Sequence, residues 1–297
     1  MKQYIAIDIG GTKLKHGIID EEGKFVEKSE TASNAHKGGA HLVELVTGIC
    51  KDYVDKYTIE AVGISTAGMV DVEKGEIIYA GKQIPDYKGI NWKKIIREQV
   101  GLACEVENDV NCAGLSEAIR GAAKGANICV CITVGTGIGS CMVINGEVFH
   151  GSTGSAFEVG YMHTGKDAIY QDLASTTALI EKVAARYNKS KSEIDGRWIF
   201  ERAKMGDSIC NEEIDNLMEN LAIGIANICY VVNPEVVVLG GGIMEQSEFL
   251  APRLGNSLKK VMLDVIREKT KFTFAENGNN AGMLGAFFHM RRQMGEM

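Results

Sequence analysis

Tyr4-Ile-Ala-Ile-Asp-Ile-Gly-Gly-Thr-Lys13 opens the chain with an apolar, β-prone run that stops at two glycines, and Leu14-Lys-His-Gly-Ile-Ile19 then runs back to the turn Asp20-Glu-Glu-Gly23. Apolar runs bounded by turn residues in this way read as strand, tight turn and returning strand. The plan recurs further along. Ile128-Cys-Val-Cys-Ile-Thr-Val134 is a second β-branched run, Gly135-Thr-Gly-Ile-Gly139 a second glycine turn, residues 140–144 the return, and Asn145-Gly146 a hairpin turn. Two copies of one opening predict two domains of similar topology.

Working outward, a strand over 25–31 completes a first meander, and Leu42, Val43, Leu45, Val46, Ile49 and Val54 carry helical spacing through 40–56. A strand over 59–65 leads to Thr66-Ala-Gly68; a short helix follows over 92–100, a strand over 104–107 and a helix over 110–121. Beyond the second hairpin, residues 172–231 read as mainly helical, with breaks near Ser190 and Asp207. Pro234 precedes the strand Glu235-Val-Val-Val-Leu239, which runs into Gly240-Gly-Gly242, and a helix spans 281–294. Strand alternating with helix predicts an α/β protein. We expect a smaller α/β domain over 1–118, with 281–297 packing back on it, and a larger one over 119–280.

The chain has 297 residues, 45% apolar and 24% charged, which suits two soluble globular domains and excludes disorder, coiled coil and collagen. Its 32 basic residues against 39 acidic ones leave a net charge of −7, and no basic run is longer than a pair such as Arg291-Arg292, so nucleic acid is not an expected partner. Asp8 interrupts the first apolar stretch, unlike a secretory signal, and the most apolar stretch, 127–144, is broken by glycines and hydroxyls. A cytoplasmic protein without membrane contact is expected. Eight cysteines with no C-x-x-C pair read as buried thiols in a reducing compartment.

Three glycine turns at strand ends carry the chemistry. Gly10 and Gly11 let backbone N–H groups approach phosphate oxygens, while Thr12 and Lys13 add a hydroxyl and a cation. Asp8 is placed to hold magnesium, directly or through water. Gly135, Thr136, Gly137 and Gly139 form a second such turn, lacking the spacing of a P-loop and returning into a strand where a dinucleotide-binding motif would enter a helix. Gly240, Gly241 and Gly242 offer a flat edge to an adenine or ribose. Each turn is equally an ordinary hairpin when taken alone; three together point to nucleotide. Asn108 and Asp109, at a strand end, read either as a helix N-cap or as a catalytic base accepting a hydroxyl proton. Glu158 and Tyr161 suit adjacent sugar hydroxyls or a loop anchor. His16, His36, His41, His150, His163 and His289 form no metal-ligand spacing with a cysteine and read as structural or solvated.

DIGGTK (8–13), ENDVNCAGLSE (107–117), VGTGIGS (134–140), GSAFEVGY (154–161) and LGGGI (239–243) together resemble the ROK family of sugar kinases and sugar-responsive repressors. The resemblance implies a two-domain actin-like ATPase (hexokinase/ribonuclease H-like) fold, with sugar and nucleotide meeting in a cleft. It implies ATP and Mg2+, phosphates facing residues 10–13 and 135–139, adenosine at 240–242, and sugar at Gly68, Asn108, Asp109, Glu158 and Tyr161. Asp109 would be the base that activates the sugar 6-hydroxyl. Many members follow the glutamate with Gly-His and a zinc-binding C-x-C-G-x-x-G-C cluster. Here Tyr161 stands at the histidine and no cysteine lies in 162–175, so structural zinc is not expected. Gln171 or Asp172 falls near the family's later acid. That pattern, with Asn280-Ala-Gly-Met-Leu-Gly-Ala286, is similar to β-glucoside kinases, which implies a cellobiose-like β-glucoside or glucose as substrate. N-acetylmannosamine kinase or fructokinase is the rival within this chemistry. A non-catalytic sugar sensor is the rival from outside it, although the repressors carry a helix-turn-helix domain ahead of the first glycine motif. The expected partner is a small-molecule sugar, with a homodimer allowed.

Overall fold

The computed structural model describes residues 2–165 and 167–297. Its elements begin with β1 (Gln3–Ile9), β2 (Lys13–Asp20), β3 (Phe25–Ala32), α1 (Gly39–Val54), β4 (Ile59–Thr66), β5 (Met69–Asp71), β6 (Glu76–Tyr79), α2 (Trp92–Gln99), β7 (Ala103–Asn108) and α3 (Asp109–Arg120). Then come β8 (Ile128–Val134), β9 (Ile138–Ile144), β10 (Glu147–Val148), α4 (Tyr170–Ala174), α5 (Thr176–Arg186), α6 (Gly196–Lys204) and α7 (Ser208–Val232). The chain finishes with β11 (Val236–Gly240), α8 (Ser247–Val261), α9 (Asp264–Arg267), β12 (Lys271–Phe274) and α10 (Ala281–Gln293). It separates into two compact units, one of Met1–Gly121, Gly146–Ala156 and Asn279–Met297, the other of Ala122–Asn145 and Phe157–Gly278.

In the first unit the strand order is β3-β2-β1-β4-β7. β1 runs antiparallel to β2 and parallel to β4, which is parallel to β7. A strand covered on both faces reads as a continuous apolar run, and this is why β1 and β4 lack the alternation of a half-exposed sheet. Ile5, Ile7 and Ile9 join Leu42 and Val46 of α1 and Trp92 and Ile96 of α2 in one core. Burying each such aliphatic side chain contributes about 1.5–3 kcal/mol. The opposite face, carrying Ala6, Asp8, Gly63 and Ser65, lies under α10. That helix sits unusually close: a Cβ on Gly285 would fall 1.9 Å from the Cys112 carbonyl oxygen of α3, and one on Gly282 would fall 2.4 Å from the Asp8 carboxyl carbon. Only glycine allows this approach.

The second unit repeats the plan. Its strands run β9-β8-β11-β12, with β8 antiparallel to β9, parallel to β11, and β11 parallel to β12. Val130, Ile132 and Leu239 of this sheet pack with Tyr170 of α4 and Leu221 and Ile225 of the long helix α7. Asn233, in the left-handed conformation, ends α7, and Pro234 keeps the helix from continuing. All eight cysteines are buried. No helix among the described residues is long and apolar enough to cross a membrane.

Candidate active site

In the first unit the three parallel strands end in register, Asp8 beside Ser65 and Ser65 beside Glu107, then Ile9 beside Thr66 and Thr66 beside Asn108. Carboxyl ends of parallel strands are where α/β sheets place their ligands. Asp8 accepts a 2.8 Å hydrogen bond from Ser65 Oγ on Oδ1, and Lys15 Nζ stands 3.7 Å from Oδ2.

One residue beyond Glu107 the strand becomes a helix. Asn108 is the N-cap of α3, its Oδ1 accepting from Val110 N at 2.9 Å and Asn111 N at 3.1 Å. Its Nδ2 donates to Gly68 O at 2.9 Å and to Asp109 Oδ1 at 3.0 Å. Sequence left capping and catalysis as competing readings of this pair. In the structure Asn108 is the cap, and Asp109 shares in it only through Oδ1. Asp109 Oδ1 also accepts from Val110 N at 2.9 Å; Oδ2 is used by neither of these bonds. Burial, and after it the Asp8 carboxylate, pushes the Asp109 carboxyl up to about 6, against the opposing pull of its hydrogen bonds. The residue keeps partial access to solvent. A carboxylate near neutrality, partly accessible and held by a fixed amide, has the properties of a general base.

Gly10 to Lys13 form the β1–β2 turn, closed by Gly10 N donating to Lys13 O at 3.0 Å. Lys13 itself is exposed and forms a 2.5 Å ion pair with Glu30. The cation beside Asp8 is Lys15, its register partner on β2.

In the second unit, two of the glycine turns line a single cleft of about 630 Å3, with Gly135, Thr136, Thr176, Thr177, Gly242 and Gln246 among its walls. Gly135 N donates to Gly137 O at 2.9 Å to close the first turn, and Gly139 already belongs to β9. Gly240 ends β11. Gly241 turns at φ 101°, where a Cβ would meet the Val134 carbonyl oxygen at 2.2 Å, so the third glycine run packs directly on the end of β8. Glu158 precedes the 3-10 turn Val159–Tyr161 without a side-chain capping bond. Both Glu158 and Tyr161 are exposed, and partial burial raises the Glu158 carboxyl. Gln171 Oε1 lies against both Gly137 and Gly160.

Sequence reasoning passed over several groups. His150 was read with the other histidines as structural or solvated; its Nε2 lies 2.6 Å from Oε2 of the buried Glu107, and His289 Nδ1 stands 3.7 Å from the same oxygen. No spacing rule joins residues so far apart in the chain. Ser65 and Lys15 were equally silent, because their proximity to Asp8 follows from strand register alone.

A hairpin leading into parallel strands, built twice, with glycine turns and carboxylates at the strand ends, defines the actin-like ATPase (hexokinase/ribonuclease H-like) fold. Within it this chain belongs to the ROK family, whose sequence pattern matches residues 4–293. An uncharacterized protein of Clostridium perfringens is 45% identical over 98% of each chain. A β-glucoside kinase of Klebsiella pneumoniae is 28% identical, covering 97% of this chain and 95% of its own. Among solved structures, a ROK family glucokinase of Streptomyces griseus in complex with glucose and AMPPNP is similar with a TM-score of 0.83 and 27% identity, covering 98% of this chain and 99% of that one.

Proposed function

We propose that this protein is an ATP-dependent sugar kinase that transfers the γ-phosphate to the 6-hydroxyl of a β-glucoside or glucose, with Asp109 as the base. The observation that carries the reading is the division of labour at the start of α3. Asn108 satisfies the helix, and Asp109, raised toward neutrality, is left with an oxygen for a substrate hydroxyl. Phosphoryl transfer asks for positioning and charge stabilisation more than for covalent chemistry. The cleft walled by Gly135, Thr136 and Gly242 suits a nucleotide in size and in its exposed backbone. Glu158 and Tyr161, on one short turn with exposed side chains, are proposed to bind sugar hydroxyls.

Among the described residues no three His, Cys, Asp or Glu side chains form a cluster able to enclose a metal ion. Magnesium fits this chain in the manner usual for nucleotide sites, with one hard carboxylate, Asp8, sharing the ion with phosphate oxygens. When bound, the ion would neutralise charge on the transferring phosphoryl group. Asp109 accepts the sugar proton; Asn108 fixes its orientation; backbone N–H groups of the glycine turns hold phosphate oxygens.

The relative that acts on β-glucosides, and Tyr161 in place of the zinc-held histidine, favour a glucoside over N-acetylmannosamine. Turnover of cellobiose and glucose with ATP in a coupled assay tests this choice, and rapid turnover of N-acetylmannosamine with none of cellobiose would reverse it.

A further inference from the structure

Glu107 is buried at the end of β7, 1% exposed, with every side of its carboxylate in use. Oε1 accepts from Asn108 N, at the N-cap of α3, at 2.7 Å and from Asn111 Nδ2, in its first turn, at 2.9 Å. Oε2 accepts from His150 Nε2 at 2.6 Å, with His289 Nδ1 of α10 at 3.7 Å. Three segments distant in sequence therefore converge on one carboxylate, all inside the first unit. The next link is Asn108, whose backbone N–H donates to Glu107 and whose side-chain amide donates to Asp109. A continuous chain of contacts runs from His150 through Glu107 and Asn108 to Asp109.

We propose that Glu107 and His150 are positioning residues for Asp109, in a role that rests on the kinase reading above. An ion held in a buried site is costly unless it is paired and hydrogen-bonded, so a lone Glu107 would be a poor anchor. The hydrogen bonds from His150, Asn108 and Asn111 make it a good one. Burial alone would raise the Glu107 carboxyl, yet the His150 hydrogen bond and the His289 imidazole together bring it below the usual carboxylate range. The same bond raises His150 above the usual imidazole value, while burial lowers His289. Glu107 thus stays an acceptor and holds the Asn108 N–H and the Asn111 amide. Loss of His150 would let the carboxylate turn and release the first turn of α3, moving Asp109 off line. Misplacement by an ångström costs up to about a hundredfold in rate.

The test measures kcat and KM separately, per active site, for His150→Ala, His150→Gln, Glu107→Gln and the double variant His150→Ala/Glu107→Gln, beside Asp109→Asn. The His150 side chain is 24% exposed, so its truncation should leave a folded protein. The expected result for His150→Ala is a roughly ten- to hundredfold fall in kcat with sugar and ATP KM within about twofold of wild type. His150→Gln, which keeps an N–H donor, should recover most of that loss, and the double variant should lose little more than the worse single, because both act through one chain of contacts. Wild-type kcat in His150→Ala and in Glu107→Gln while Asp109→Asn is inactive would overturn the positioning role and leave the kinase reading standing. Full activity in Asp109→Asn would overturn both.

Discussion

Asp109→Asn should make this protein more stable and nearly inactive at once. The substitution is close to isosteric and removes a charge that the fold resists. In the folded chain the carboxyl titrates at about 6 against an unfolded value of 3.8, a difference worth about 3 kcal/mol at 1.36 kcal/mol per pH unit. Partial solvent access at residue 109 screens this to about 1–3 kcal/mol. Because the folded value is raised, the wild type is at full stability with respect to this group below pH 3.8, and loses that contribution as pH rises through about 6. The variant escapes the loss. Thermal unfolding should therefore place Asp109→Asn a few degrees above wild type at pH 8, with the gap shrinking as pH falls toward 4. In a coupled kinase assay the same variant should lose about 10²–10⁴-fold in kcat, the usual contribution of a general base. Equal melting temperatures at pH 8, or retained turnover, would refute the assignment of a strained, ionised base.

Further perturbations separate the parts of the site. For the wild type, kcat/KM should fall as pH drops through about 6, the point where Asp109 takes up its proton, and a limb near 4 would contradict its raised value. Asn108→Ala removes the cap of α3 and the amide that holds Asp109, and should cost about 0.5–2 kcal/mol in urea unfolding together with a fall in kcat. Gly241→Ala puts a methyl group 2.2 Å from the Val134 carbonyl at a φ of 101°; nucleotide affinity measured by calorimetry should drop along with the melting temperature. Tyr87→Phe leaves Trp92 Nε1 and the Thr66 hydroxyl without the oxygen that joins them, at 3.0 and 2.6 Å, and should destabilise the first unit by about 1–3 kcal/mol without changing KM.

Much of the fold was legible because its signals are local. Two apolar runs broken by glycines give the hairpins β1–β2 and β8–β9, and the breaks near Ser190 and Asp207 fall between α5, α6 and α7. The short elements β5, β6, β10, β12 and α9 were not read, because two to four residues are too few to show a period. The site divides along the same line. Asp109 was legible beside its cap, and the glycine turns beside their strands. Lys13 was legible as a cation of the first turn from its place next to the glycines, but Lys15, which register brings to Asp8, was not. His150 and Glu107 meet only through tertiary folding, so no periodicity or spacing could announce them.

The most direct test of the account is the product of the reaction itself. Incubated with ATP, magnesium and cellobiose or glucose, the protein should yield ADP and a sugar phosphate whose phosphorus couples to the C6 protons in two-dimensional NMR. ADP release without any sugar phosphate across glucose, cellobiose and N-acetylmannosamine, or phosphate attached at another carbon, would contradict it.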